Sequence, residues 1–430
     1  MQERQLTTDP KGHFLNTHQC FSADGKWLVY DTRNDDSKIA STGSVEMVNV
    51  VTGEIKPLYH TKNQTEYGPG LGAASFSPAA DRVIFIHGIR NADEQNPYGF
   101  TRRTGVAIDV NQPEIPIFMD ARDLKAPFTP GALRGGTHAH SWSGDGQWLS
   151  FTYNDYVIEQ LSKTNPDVQD LRTVGVMFPA KVQVADDVGG ENNSGQMFSV
   201  VVAKVTENPI AGSDEIDKAF DECWIGEKGY QKVDGNRQER AIAFQGNVRD
   251  KSGLTKTEIF VVDLPADLSI AKPGEKLAGT VVSRPDVPEG VKQRRVTFTN
   301  EGVLGPRHWL RSSSDGTKIA FLSKDPSGFI NAFTVSPNGG AVEQISFHQF
   351  DIQSGLNFSP DGEYLSYVAQ NAVYITELAT GKSRPLTERS SEENRPVSAV
   401  IWSPDGKMLA YNRFVENTEG RNLQIFLIHK

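Results

Sequence analysis

The sequence predicts an all-β protein, a seven-bladed β-propeller, on three observations. A Ser-x-Asp-Gly turn between apolar, alternating runs recurs five times along the chain, with a sixth copy opened to Ser77-Pro-Ala-Ala-Asp81. A further strand and a Thr-Gly or Asn-Gly turn follow several of the copies. A short strand of the type that ends a repeat stands ahead of the first one.

The recurrent turn lies in "CFSADGKWLVYDTR" at Cys20, "SFSPAADRVIFIHG" at Ser75, "SWSGDGQWLSFTYND" at Ser141, "RSSSDGTKIAFLSKD" at Arg311, "NFSPDGEYLSYVAQN" at Asn357 and "IWSPDGKMLAYNRF" at Ile401. Pro, Asp and Gly supply the turn angles, and period-two alternation supplies the strands, so each copy reads as a β-hairpin. Further strands and turns follow in "VEMVNVVTGEIKPLY", "AVYITELATGKSRPLT" and "FTVSPNGGAVEQIS". One unit is therefore four antiparallel strands, and units of this length arranged radially bury each sheet against its neighbours.

The gap from Ser143 to Ser313 is about three times the other spacings and holds "MFSVVVAKV", "RAIAFQGNV" and "TEIFVVDLP". We read one degenerate blade there, about 181–265, which makes seven. The insertion "GSDEIDKAFDECWIG" reads as a helix capped by Ser213 or Asp214, with Ile216, Phe220, Cys223 and Trp224 on one face. "RPLT" at Arg384 and "RRVT" at Arg294 look like outermost strands, and "RQLT" at Arg4 has the same form. Arg4–Thr7 is therefore expected to pair with the last blade, around Leu423 to Ile428, and close one propeller domain spanning 1–430.

Composition narrows the function. A net charge of −10 argues against a broad nucleic-acid surface, which selects clustered Lys and Arg. Two cysteines, Cys20 and Cys223, cannot build a disulfide framework. No apolar run reaches membrane-helix length, so the chain reads as a soluble monomer, periplasmic if a signal peptide has been removed and cytoplasmic otherwise. There is no Gly-x-Ser-x-Gly elbow, P-loop or His-Glu-x-x-His helix.

The repeat "FSPDG…LAY" with "RPLT" resembles TolB-like propellers. The longer passages "LRGGTHAHSWSGDGQWLSFTYND", "PRHWLRSSSDGTKIAF" and "DIQSGLNFSPDGEYL" resemble the uncharacterised bacterial YidR-like branch, over nearly the whole chain. "THAH" is also similar to the segment with which oligogalacturonate lyases, seven-bladed propellers, hold a divalent metal. Thr137, His138 and His140 match that segment, while the family's glutamine falls on Gly135.

His138 and His140 are two apart on an extended run, so they are expected to share a face and could bind one ion. Counted from the turn, His308 shares the register of His138, and Gln353 and His18 lie within one residue of it. The candidate metal set is thus His138, His140 and His308 with His18, for one divalent ion among Mn, Zn and Ca. A polar lining of structural histidines fits the same pattern. Arg134 and Arg307, with Gln353, are candidate ligand-binding residues, suited to an anionic small molecule or oligosaccharide. "TRRTG" at Thr101 reads as a solvated turn, and His87 as structural. Two classes follow: a noncatalytic module binding a protein partner or small anion at the channel mouth, and a metal-dependent carbohydrate-active lyase.

Overall fold

The computed structural model describes residues 2–185, 189–418 and 420–429. Among them, seven antiparallel sheets follow one another in chain order and form the blades. Blade 1 holds Trp27–Asp31, Ser44–Asn49 and Ile55–His60, and blade 2 runs from Leu71–Phe76 to Ile117–Phe118. Blade 3 runs from Gly135–Trp142 to Gly195–Val201, and blade 4 from Ala219–Trp224 to Lys292–Arg295. Blades 5 and 6 start at Arg311–Ser312 and Asn357–Phe358, and blade 7 joins Pro396–Trp402, Met408–Asn417 and Gly420–His429 to the N-terminal Gln2–Gln5.

The recurrent turn has a local cause. Ser22 Oγ donates to Asp24 Oδ1 at 2.7 Å and accepts from the Trp27 amide at 3.0 Å, while Gly25 takes φ 70°. The same serine, aspartate and glycine roles recur at Ser143, Asp145 and Gly146, and at Ser403, Asp405 and Gly406. The polar residues close the loop and the glycine supplies an angle other residues rarely adopt, so the motif survives where the flanking strands diverge.

The N-terminal strand closes the ring, with Gln2 opposite His429 and Gln5 opposite Phe426, and the Leu6 amide extends the ladder to Ile425 O at 2.8 Å. The long middle region divides differently from its sequence reading. "MFSVVVAKV" belongs to the outer strand of blade 3, and "RAIAFQGNV" and "TEIFVVDLP" are the second and third strands of blade 4. The extra length of blade 4 is a small hairpin, Tyr230–Gln231 with Arg237–Gln238, and the excursion 264–291.

The helix expected over 213–224 is a strand instead, Ala219–Trp224. A β-bulge between Phe220 and Cys223, with Asp221 at φ 51°, inserts one residue into the alternation. Apolar positions three apart then imitate a helical period. The short helix of the chain is Tyr156–Ser162 in blade 3, where Asp155 accepts from the Ile158 amide at 3.0 Å as N-cap.

The inner segment of blade 1 is irregular and crosses the channel. Thr17 O accepts from Arg311 and Asn357 of blades 5 and 6 at 3.1 and 3.0 Å. On the opposite side Gln19 exchanges two hydrogen bonds with the Trp142 backbone, and Ser75 Oγ donates to His18 O. The channel is therefore divided. Asn16 and Thr17 face a cavity of about 860 Å³ on one side, and His18 and Gln19 face a pocket of about 230 Å³ on the other.

Candidate functional site

The inner strands of blades 2, 3, 4 and 7 all carry a bulge, with Ala73, Ala139, Asp221 and Ser398 at φ 56°, 57°, 51° and 63°. Non-glycine residues at such angles are uncommon and gather where a side chain must be re-aimed. Ala73, Ala139 and Ser398 line the larger cavity. Its size suits a small molecule.

The bulge at Ala139 decides the fate of the histidine pair. Because the alternation breaks there, His138 and His140 do not share a face. His138 lines the cavity, whereas His140 packs against Gly105 of blade 2, its Nε2 2.8 Å from where a side chain at 105 would begin. The Thr137 hydroxyl donates to Asp120 Oδ2, so His140 Nε2 carries the proton and donates to Thr137 Oγ1 at 2.9 Å. Burial, then the charge of Arg103, lowers the His140 pKa to about 3. His138 is held neutral first by burial and then by Arg103, Arg172 and Arg307, with a smaller push from His140.

Of the other expected site residues, His308, Gln353 and Arg307 do line one pocket of about 190 Å³, but His138 lies in the larger cavity and His18 in a third pocket. His308 is 4% exposed, donates from Nδ1 to Pro306 O at 2.9 Å and accepts the Leu322 amide on Nε2 at 3.1 Å, which occupies both nitrogens. His18 lies across the divided channel against Ser141 Oγ at 2.7 Å. Gln353 accepts the Asn371 amide at 2.8 Å and donates to its side chain at 3.1 Å, holding a residue at φ 59°. Arg134 is fully committed: it pairs with Asp155 at 2.9 Å and donates to the carbonyls of Thr280 and Ser283, pinning the blade 4 excursion. His87 of blade 2 bonds Tyr59 of blade 1 at 3.1 Å, a structural role.

These residues do not fit a divalent cation. No group of three or more His, Cys, Asp or Glu converges among the described residues. Three guanidiniums face the one histidine that borders the cavity. At Gly135, where the lyases carry a glutamine, a Cβ would sit 2.0 Å from Asn154 O, so a side chain is sterically excluded.

What the structure does assemble is a cationic wall from separate blades. Arg103 opens the third strand of blade 2, Arg172 precedes the third strand of blade 3, and Arg307 precedes blade 5. Arg307 is half-exposed and pairs with Asp221 at 3.0 Å. Arg172 donates to Asn154 Oδ1 at 3.2 Å, and burial, then Arg103 and Arg307, lowers its pKa to about 10. Arg103 is 2% exposed and donates from Nη1 to the Tyr98 hydroxyl at 3.0 Å, but its Nε and Nη2 have no partner. No carboxylate lies within ion-pairing distance of Arg103 or Arg172 among the described residues. The turn reading of "TRRTG" thus misses its principal residue: Arg102 pairs with Glu191, and Arg103 begins a buried strand. The signal available was the apolar "VAID" that follows, which marks Arg103 as a strand position rather than a loop tip.

A protein of unknown function, YidR of Escherichia coli strain K12, is 36% identical over 416 residues, covering 95% of this chain and 94% of its own. A family described as a protein of unknown function, DUF3748, matches residues 70–189, and the dipeptidyl peptidase IV N-terminal region matches 333–419. Among solved structures, an oligogalacturonate lyase in complex with manganese aligns over 99% of this chain and 92% of its own, at TM-score 0.52 and 12% identity. A puromycin hydrolase aligns over 96% of this chain and 52% of its own, at TM-score 0.53 and 11% identity. Identities this low speak to the propeller fold alone.

Proposed function

The chain belongs to the family of YidR, and we propose that it is a binding propeller that takes a small anionic ligand in the divided channel, without turnover. The observation that carries this is Arg103. A guanidinium removed from water without a countercharge, and with two donors unused, is costly, and an anion in the cavity it borders would supply the countercharge. Arg172 lacks a carboxylate as well, and both line a cavity large enough for a ligand. The lyase reading has no matching support, because it requires the histidines to converge on a cation and they are dispersed around guanidiniums.

The test is calorimetric titration and thermal shift of the full chain at low ionic strength with phosphorylated, sulfated and carboxylated small molecules, beside their neutral parents. An anion should bind the wild type and fail to bind Arg103→Met, while neutral parents bind neither. Stabilisation by manganese, with release of unsaturated product from uronate oligomers, would overturn the proposal in favour of the lyase.

A further inference from the structure

Resting on that reading, we infer that the anion is a phosphate monoester dianion carried on a hydroxyl-rich body, a phosphorylated sugar in class. Charge balance gives the first step. Arg307 is matched by Asp221, Arg33 by Asp31 and Asp36, and Asp35 and Asp36 stand on the blade 1 wall, whereas Arg103 and Arg172 have no carboxylate within ion-pairing distance among the described residues, which leaves two positive charges on the wall from blades 2 and 3 for the ligand to answer. A single carboxylate supplies one negative charge; a phosphate monoester supplies nearly two at neutral pH, with three acceptor oxygens.

Geometry gives the second step. The three arginines come from blades 2, 3 and 5, so they approach from different directions around the cavity. A carboxylate offers its oxygens in one plane, suited to a single bidentate guanidinium. A tetrahedral group with three terminal oxygens can present one to each arginine. His138, held neutral and lining the same cavity, adds a polar edge to this wall without a charge of its own.

The remainder of the cavity describes the body of the ligand. At about 860 Å³ the cavity far exceeds an inorganic anion. The wall from blade 1 carries Asn16, Asn34, Asp35, Asp36 and Ser37. Asp36 also accepts from Arg33, which is itself paired with Asp31 at 2.6 Å. Carboxylate and amide oxygens there are acceptors for hydroxyl donors and repel a second anionic group. Phe100 and Trp309 are already covered on one face by Arg172 and Arg307, at 5.2 and 4.5 Å.

The experiment is titration calorimetry of the full chain with glucose 6-phosphate, glucose 6-sulfate, glucuronate and inorganic phosphate, at pH 7.5 and 5.5. The groups around the anion are Arg103, Arg172, Arg307, His138, Lys218, Asp221, Asp170 beside Arg172, Glu222 behind Arg307 and, across the cavity, Arg33, Asp35 and Asp36. The sulfate ester sees the same protein groups but keeps its charge, so it reports any change in the protein. With a second phosphate pKa near 6, the dianion falls about fourfold between the two pH values. Glucose 6-phosphate is therefore expected to bind at least about tenfold tighter than glucuronate at pH 7.5 and to weaken about fourfold relative to the sulfate ester at pH 5.5, the sulfate ester carrying the contribution of Asp170 and Glu222 as they take up protons. Arg172→Met should lose the preference for phosphate while remaining folded by circular dichroism, with Arg172→Lys as a milder companion. Glucuronate binding as tightly as the phosphate ester would overturn the phosphate class and leave the anion site standing. Inorganic phosphate equal to glucose 6-phosphate would overturn the sugar body. Failure of every anion would sink the anion site itself.

Discussion

Replacing Arg103 by methionine should make the ligand-free protein more stable, an unusual direction for truncating a residue that is 2% exposed. In the wild type, two buried donors without partners cost about 1–3 kcal/mol each. Methionine removes both, and keeps much of the side-chain length. The losses are the hydrogen bond to Tyr98, about 1.5–3 kcal/mol for a charged donor, and the contact over the Phe100 ring, about 0.5–1 kcal/mol. The balance favours the variant by about 1–2 kcal/mol, because the unmatched charge adds a desolvation cost that has no offset. At about 2.1 cal/mol/K per residue, 430 residues give an unfolding entropy of about 0.9 kcal/mol/K, so the melting temperature should rise about 1–2 °C. A ligand at 100 times its dissociation constant adds about 2.7 kcal/mol to the wild type, or about 3 °C, and nothing to the variant. The order of the two melting temperatures should therefore invert on adding the anion. Scanning calorimetry with and without it reads both. A variant that melts several degrees lower without ligand would refute the reasoning, since Arg103 would then be a structural strut with its donors satisfied in the folded protein.

Three other outcomes are expected. Stability should fall as pH drops from about 6.5 toward 4, because the folded state holds His13 and His87 at about 4, and His138 well below its ordinary value, while the unfolded chain binds protons at about 6.5; urea denaturation at pH 8 and 5 reads this. Burial raises Glu222 to about 7, the opposite sign: its contribution is present below about 4.5 and lost as pH rises through 7, so Glu222→Gln should gain about 2–3 kcal/mol over the wild type at pH 8 and little at pH 4.5. Arg134→Met should cost about 3–5 kcal/mol by orphaning buried Asp155, and should speed elastase cleavage at the exposed pair Val281 and Val282, followed by mass spectrometry.

The ring was legible in the sequence because its most informative feature is local. Ser22, Asp24 and Gly25 close their turn with their own atoms, and the same trio at Ser403 does so without reference to the rest of the ring. Closure by Arg4 was legible because a strand type was out of place. The site was not, because it depends on single-residue insertions that leave no local mark. One left-handed residue at Ala139 turns a pair of histidines apart, and one at Asp221 makes a strand look like a helix. His308 has the register expected of it, yet its two nitrogens are consumed by Pro306 and Leu322, a matter of tertiary packing. Arg103 was passed over because a run of arginines between threonines looks solvated, and only the blade around it shows that it is buried.

The segment that divides the channel also fixes an order of assembly. Thr17 takes its partners from Arg311 and Asn357, and Leu6 meets Ile425, so residues ahead of blade 1 must wait for blades formed hundreds of residues later. Blades 2 to 6 can each pair their strands locally, since those pairings are short-range, but the partition needs blades 5 and 6 and the seam needs blade 7. The wide cavity draws its wall from Phe14 through Leu423 and so comes into being with the final closure. A chain cut before blade 7 would hold most of the blades but leave the cavity open where Val397, Ser398, Phe414 and Leu423 complete its wall, so an intact pocket depends on the seam between the first strand and the last blade.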